Sequence, residues 1–370
     1  MVAGTSTPDA GQILNEIENN LPQQQPPEYE VPELDQEEEI DPDEPTVYIQ
    51  GFRIIGNESM DRYTLDQFLK QYRNKQLPVS TIRSISAELA NYYRENGLIA
   101  QAILPDQDIT DGIITIQLVE AEIGDIDVAL EEKQYIDTEI LKKYFKEKNK
   151  KLSLKDIDNK ILLINEIPGI SAKATLRAGK IPKTVGVIIQ PKFDKRYVSS
   201  ISYDNYGSRS TGTHRALGTF LVNSPLGRGD QLSLTALKSE GVNFGMFQYA
   251  IPVGSDGLKI GIKLSSLNYE IIHDEFSSTK PEGKSNSYAF NASYPLYLTQ
   301  STKLLLRSEY ENKSFFNETV IGTTSDYETD SIDVAIQLSF LDTLTQYGGI
   351  NQAELIYTKG EVDLLSLIHI

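Results

Sequence analysis

The chain contains no cysteine and only three histidines in 370 residues. The first absence excludes disulfides and thiolate metal sites, and it suits passage through an oxidising compartment. His214, His273 and His369 stand alone, without the partners that a metal site or a catalytic triad requires at defined spacing. They read as surface or lumen residues. Ser233 and Ser239 lie in no Gly-x-Ser-x-Gly elbow. The sequence therefore points to no enzyme, no metal and no cofactor. Long apolar runs are also missing. Stretches such as Ile161–Ile164 fall far short of the roughly 18 residues that a transmembrane helix needs. A membrane β-barrel stays open, because its signal per strand is weak.

Positive charge is absent from the start. Arg53 is the first basic residue and 13 acids precede it, so the net charge of −18 leaves −5 for the rest of the chain. Such a tail repels phosphate and speaks against nucleic acid as a partner. No basic segment or apolar leader follows Met1, so the chain reads as a mature exported protein carrying an added Met1.

What the chain has is a change of alphabet near Arg196. Beyond it, Leu258, Ile260, Ile262 and Leu264 alternate with Lys259, Gly261, Lys263 and Ser265. Ile332, Val334, Ile336, Leu338 and Phe340 alternate with Ser331, Asp333, Ala335, Gln337 and Ser339. One face greasy and one polar is the pattern of strands between lipid and a wet lumen. About nine strands are expected, beginning near Tyr197, His214, Asp230, Asn243, Gly257, Ser287, Ser301, Ser331 and Gln346. Turns are expected at Gly207-Ser208, Pro225-Leu226-Gly227, Gly254–Gly257 and Pro281-Glu282-Gly283. Ile271–Gly283 and Phe315–Thr329 read as long polar loops on one side, opposite short turns. The 20 tyrosines suit membrane interfaces, or simply a β-rich protein.

Before Arg196 the patterns are mixed. Residues 9–20 predict a short amphipathic helix with Ile13, Leu14 and Ile17 on one face and Asp9 as N-cap. Residues 21–45, rich in Pro and Glu, predict an extended linker. The acids Glu37–Glu39 read as solvated, since no turn glycine or ligand spacing makes them a calcium site. Residues 46–122 predict a β-α-α-β-β module: strand Val47–Ile55, a helix capped by Ser59 or Asp61, a helix opened by Pro78 and closed at Asn96-Gly97, strand Ala100–Leu104, an Asp111-Gly112 turn and strand Ile113–Val119. Residues 123–195 repeat the order with strand Ile123–Val128, helices Thr138–Phe145 and Leu154–Ile164, and strands Ser171–Leu176 and Thr184–Ile189.

These residues resemble a known family. Tyr197–Tyr206, then Gly207-Ser208-Arg209-Ser210-Thr211-Gly212, then Asn223-Ser224-Pro225-Leu226-Gly227-Arg228-Gly229-Asp230-Gln231-Leu232 are similar to the start of the barrel in two-partner secretion transporters. These are the haemolysin-activator and filamentous-haemagglutinin transporters. Ile167-Pro168-Gly169-Ile170 with Ala174–Gly179 is similar to their second POTRA domain, and Asp9–Leu14 on a Pro-rich tether to their plug helix. The resemblance implies α+β POTRA domains at 46–122 and 123–195, then an all-β transmembrane β-barrel of which 196–370 is the N-terminal portion. It also implies a plug helix at 1–20 and a linker at 21–45. The expected protein is a monomer in a Gram-negative outer membrane, with outer-membrane lipid around it and POTRA domains in the periplasm. It would secrete an unfolded exoprotein of haemolysin, adhesin or contact-dependent toxin type. The family's barrel has sixteen strands and an Arg-Gly-aromatic loop; this chain has about half the strands and no such motif. It reads as C-terminally truncated, with Leu364–Ile370 not necessarily native.

Two kinds of binding surface are expected. An open strand edge accepts an unfolded client by backbone pairing; by chain order that edge is Ala100, Gln101, Ala102, Ile103 and Leu104, the alternative being an edge that stays unpaired. A lumen face of Lys259, Lys263, Lys303, Arg307, Glu309 and Glu311 lets a polar chain slide without sticking, or is the ordinary lining of a barrel. A barrel-assembly insertase and a periplasmic binding scaffold are the rival readings.

Overall fold

The computed structural model describes residues 8–19, 45–107, 109, 111–129, 134–146, 154–178, 180–181, 184–342 and 348–367. Residues 21–44 of the linker expected at 21–45, and His369, lie outside the described residues.

Helix α1 (Ala10–Asn19) comes first. The first domain follows with β1 (Thr46–Ile49), β2 (Gly51–Ile55), α2 (Arg62–Leu69), β3 (Lys75–Pro78), α3 (Val79–Glu95), β4 (Ile99–Ile103) and β5 (Ile113–Val128). The expected strand Val47–Ile55 is in fact two. It changes partner at Gln50, whose N–H reaches the Gly112 carbonyl at 2.7 Å. Before that point β1 pairs antiparallel with β3; after it β2 pairs parallel with β5. Asp61, not Ser59, caps α2, accepting from the Tyr63 amide at 2.6 Å and the Thr64 hydroxyl at 2.6 Å. The Thr64 bond first, then the Tyr63 amide, lowers its pKa. Ile49, Leu65, Leu69, Ile82, Ile85, Leu89, Tyr93, Ile114 and Ile116 form the core.

A second correction concerns the domain junction. Ile113–Val119 and Ile123–Val128 are expected as separate strands, yet β5 runs through both. Its first part pairs with β2 and β4, its second with β7 (Thr184–Phe193), which in turn pairs with β6 (Ile170–Ala178). Glu120-Ala121-Glu122 has weak strand preference, and pairing on both sides overrides it. The second domain is completed by α4 (Thr138–Lys143) and α5 (Leu154–Asn165) over a core that includes Leu141, Ile164, Val187 and Ile189. Two domains that share one continuous strand have no flexible joint at that strand.

Beyond Phe193 a single antiparallel sheet of nine strands runs in chain order. It consists of β8 (Tyr197–Asp204), β9 (Arg215–Asn223), β10 (Gln231–Ser239), β11 (Val242–Val253), β12 (Leu258–Glu270), β13 (Glu282–Leu298), β14 (Thr302–Thr319), β15 (Gly322–Asp342) and β16 (Gly349–Leu367). Phe315–Thr329 is no loop: β14 and β15 pair to their ends around the tight turn Val320-Ile321. Likewise Glu282 and Gly283 belong to β13 rather than to a turn. The Thr, Tyr and Phe residues there favour extended chain, and polarity on both faces made them read as a loop. Of the two long loops expected, 271–281 remains between β12 and β13, while Phe315–Thr329 is replaced by paired strand, and the strands lengthen from β8 to β15. β16 continues through Leu367. Ile260, Leu264, Phe290, Ile332 and Ile336 are exposed on the outer face.

The first domain's core predicts a local effect. Leu89→Ala removes a fully buried side chain and costs about 2–5 kcal/mol. Limited proteolysis is expected to cut the first domain of this variant while the nine-stranded sheet keeps its resistance.

Candidate functional site

Alternate residues of one strand share a face, and the register lines them up across the sheet. Leu217, Leu237, Phe244, Leu267, Ser285, Phe315 and Tyr327 form one cross-strand row from β9 to β15. Helix α1 lies on this row. Ile13, Leu14 and Ile17, the three expected plug positions, are buried in one cluster with Leu237, Phe244, Leu267, Tyr269 and Phe315. Burying each such side chain contributes about 1.5–3 kcal/mol. A helix of this length is marginal alone in water, so the row holds it in shape as well as in place.

Polar contacts fix the ends of the helix. The Asp9 carboxylate accepts from the Gln12 amide at 2.9 Å and the Gln12 side chain accepts from the Asp9 amide at 3.3 Å, a reciprocal cap. The Ala10 amide, left over by the first turn, donates to Asn317 Oδ1 at 2.9 Å, which also accepts from the Tyr269 hydroxyl at 2.8 Å. Asn317 Nδ2 donates to the Ser325 hydroxyl at 2.8 Å. Gly283 lies between Tyr269 and Asn317; a Cβ there would stand 2.8 Å from the Tyr269 ring and 2.4 Å from the Phe316 carbonyl oxygen. At the other end Lys313 meets Glu18 at 3.2 Å.

Below the helix the same face is charged in alternation. Lys313 meets Glu311 at 3.1 Å, and Lys263 meets Glu311 and Glu309, each at 3.0 Å. Arg307 pairs with Glu354. Lys259 and Lys303 both turn to Glu166 of the second domain. All six residues expected on the lumen face are thus on the helix-bearing side, each held by a partner of opposite sign. Asn317, Lys313 and Glu166 were missed. Their partners lie far away in sequence, and no local pattern marks them.

The expected edge Ala100–Ile103 is β4, which pairs on one side only, with β5; Leu104 falls just beyond the strand. Gln101 and Ile103 are exposed, and Ala100, Ala102 and Leu104 pack on the core. β2 is a second open edge that sequence reading did not single out. His214 meets the Tyr203 hydroxyl at 3.1 Å and His273 caps a short turn. No metal-holding cluster of acids and histidines occurs among the described residues.

With this geometry in view, comparison with known proteins is direct. Residues 185–360 match the family described as haemolysin secretion/activation protein ShlB/FhaC/HecB, and residues 47–121 match the ShlB-type POTRA domain. The chain is thus similar to the haemolysin secretion/activation family over its first domain and most of its nine-stranded sheet. Among its relatives, the heme/hemopexin transporter protein HuxB of Haemophilus influenzae is 27% identical over 260 residues, covering 69% of this chain and 46% of HuxB. The outer membrane transporter CdiB of Dickeya dadantii is 21% identical over 166 residues, covering 45% of this chain and 29% of that protein. The chain thus spans about half or less of the length of these curated relatives. In fold it is similar to CdiB from Escherichia coli, with a TM-score of 0.63, 19% identity and coverage of 89% of this chain and 62% of that one.

The helix seat yields a test. Asn317→Ala leaves the Ala10 amide without its acceptor, at about 1–3 kcal/mol, so the ratio of docked to free helix falls roughly 5- to 150-fold. Amide hydrogen exchange of residues 10–19 in the variant is expected to speed up by a similar factor; unchanged exchange contradicts the latch.

Proposed function

We propose that this protein is the outer-membrane member of a two-partner secretion pair, a pore that captures an unfolded exoprotein in the periplasm and passes it outward. The observation that carries this reading is α1. It is seated on the inner face of a sheet whose outer face is apolar and exposed, and it is joined through residues 20–45 to a domain of the ShlB POTRA type. A tethered helix held by three apolar side chains and two polar latches is a removable stopper. The chain is embedded in the outer membrane, its nine strands meet lipid on the Ile260–Ile336 face, and its two α+β domains lie in the periplasm. It acts as a monomer and as a conduit, without catalysis.

The client binds by adding a strand to β4. Backbone pairing makes weak demands on sequence and strong demands on extension, which selects unfolded chains. The charged pairs beneath α1 line the path beyond. Each lumen cation already faces an anion, so a passing chain meets a nearly neutral wall.

Two outcomes follow. Deleting residues 1–20 from the full-length protein is expected to raise its conductance in planar bilayers; unchanged conductance rejects the stopper. Proline on an edge strand is tolerated where its lost N–H pointed away from the sheet. Of Gln101→Pro and Ala102→Pro, the one whose N–H points away from β5 is expected to keep the fold and lose client binding in a pull-down with the exoprotein's N-terminal region. Full binding by both variants removes β4 as the docking edge.

A further inference from the structure

The turn that follows α5 does not stop beside the nine-stranded sheet; it reaches onto its inner face. Lys259 on β12 and Lys303 on β14 both meet Glu166 Oε2, at 3.7 Å and 2.6 Å. β13 lies between those two strands. Neighbouring strands are about 4.8 Å apart, so β12 and β14 are about 10 Å apart. One carboxylate that serves both lysines bridges them across β13, against which α5 also packs near Pro295. Lys259 Nζ also donates to the Glu166 main-chain carbonyl at 2.6 Å. That carbonyl lies at the C-terminal end of α5, where a cation is favoured. Around this ion cluster the fit is close. A Cβ on Gly229 would stand 2.8 Å from Ile167 Cγ2, and one on Gly257 would stand 2.8 Å from Leu163 Cδ2.

We propose that Glu166, clasped by Lys259 and Lys303, is a releasable pin that holds the second domain across the periplasmic mouth of the pore. The pin must open before a client segment enters. The three side chains remain 28%, 21% and 22% exposed for Lys259, Glu166 and Lys303. Partly wet ion pairs are screened by salt and are individually weak, which suits a contact that breaks and re-forms. Glu166 is therefore a positioning residue for translocation: it sets where the second domain stands and touches no client. The proposal rests on the pore reading above, but its test needs no client.

The test uses the full-length protein with residues 1–20 removed, so that α1 does not mask the mouth. The 370 residues contain no cysteine, so spin labels at Lys173→Cys and Gln352→Cys report the distance between the second domain and the sheet specifically. Glu166→Gln is expected to broaden that distance distribution and to shift the open-to-closed ratio in single-channel recordings roughly two- to fivefold. The swapped variant Glu166→Lys with Lys259→Glu and Lys303→Glu restores opposite charges and is expected to return both readouts to the parent values. A parent-like distance and conductance in Glu166→Gln overturns the pin, as does a swapped variant that stays broad. A client that fails to bind the intact protein counts instead against the secretion reading and leaves these readouts untouched.

Discussion

A β-strand shows successive side chains to opposite faces, and an unbroken register across nine strands turns that local rule into rows. The seat of α1 and the charged face below it hang on those rows. Leu217, Leu237, Phe244, Leu267, Ser285, Phe315 and Tyr327 come from seven strands, yet they form one strip because each is placed opposite the next. A slip of one residue anywhere would send half the strip to the other face. Even with its Asp9–Gln12 cap, a ten-residue helix is marginal alone, so its position is a consequence of register.

The same rows explain how one face can be a seat at one level and a polar lining at another. On β12 the inward residues run Lys259, Gly261, Lys263, Ser265, then Leu267 and Tyr269. The outward ones run Leu258, Ile260, Ile262, Leu264, then Ser266 and Asn268. The hydrophobic phase inverts at Ser265. Beyond that point the outer face turns polar and the inner face is apolar because α1 covers it. β14 changes in the same sense on its inward face: past Leu305 it runs Arg307, Glu309, Glu311 and Lys313, then Phe315. The alternating charges between these levels satisfy one another, which makes the wall between seat and mouth nearly neutral.

Much of this was legible in the sequence. The nine strands and the apolar face Ile13, Leu14 and Ile17 follow from period and turn chemistry alone; the module order ahead of them follows only in outline, since β3 was not expected. The phase inversion at Ser265 was also there to be read, and it made Phe315–Thr329 look like a loop because neither face there is uniformly greasy. What stayed hidden depends on partners far apart in the chain. Gln50 splits a strand because of where Gly112 lies, and β5 stays whole because strands flank both of its halves. Asn317 is one asparagine among many until Ala10 arrives 307 residues away. Glu166 is unremarkable until two lysines from separate strands converge on it.

The seating of α1 is the claim on which the rest stands. Amide hydrogen exchange of residues 10–19 in the membrane-embedded, full-length protein tests it without altering a single residue. A ten-residue helix free in water frays on the microsecond scale and exchanges at nearly the rate of an unfolded chain. Held on its row, it is expected to exchange many-fold more slowly, with the Ala10 amide protected by Asn317. Exchange at unfolded-chain rates throughout 10–19 would mean that the row is bare and the helix unseated.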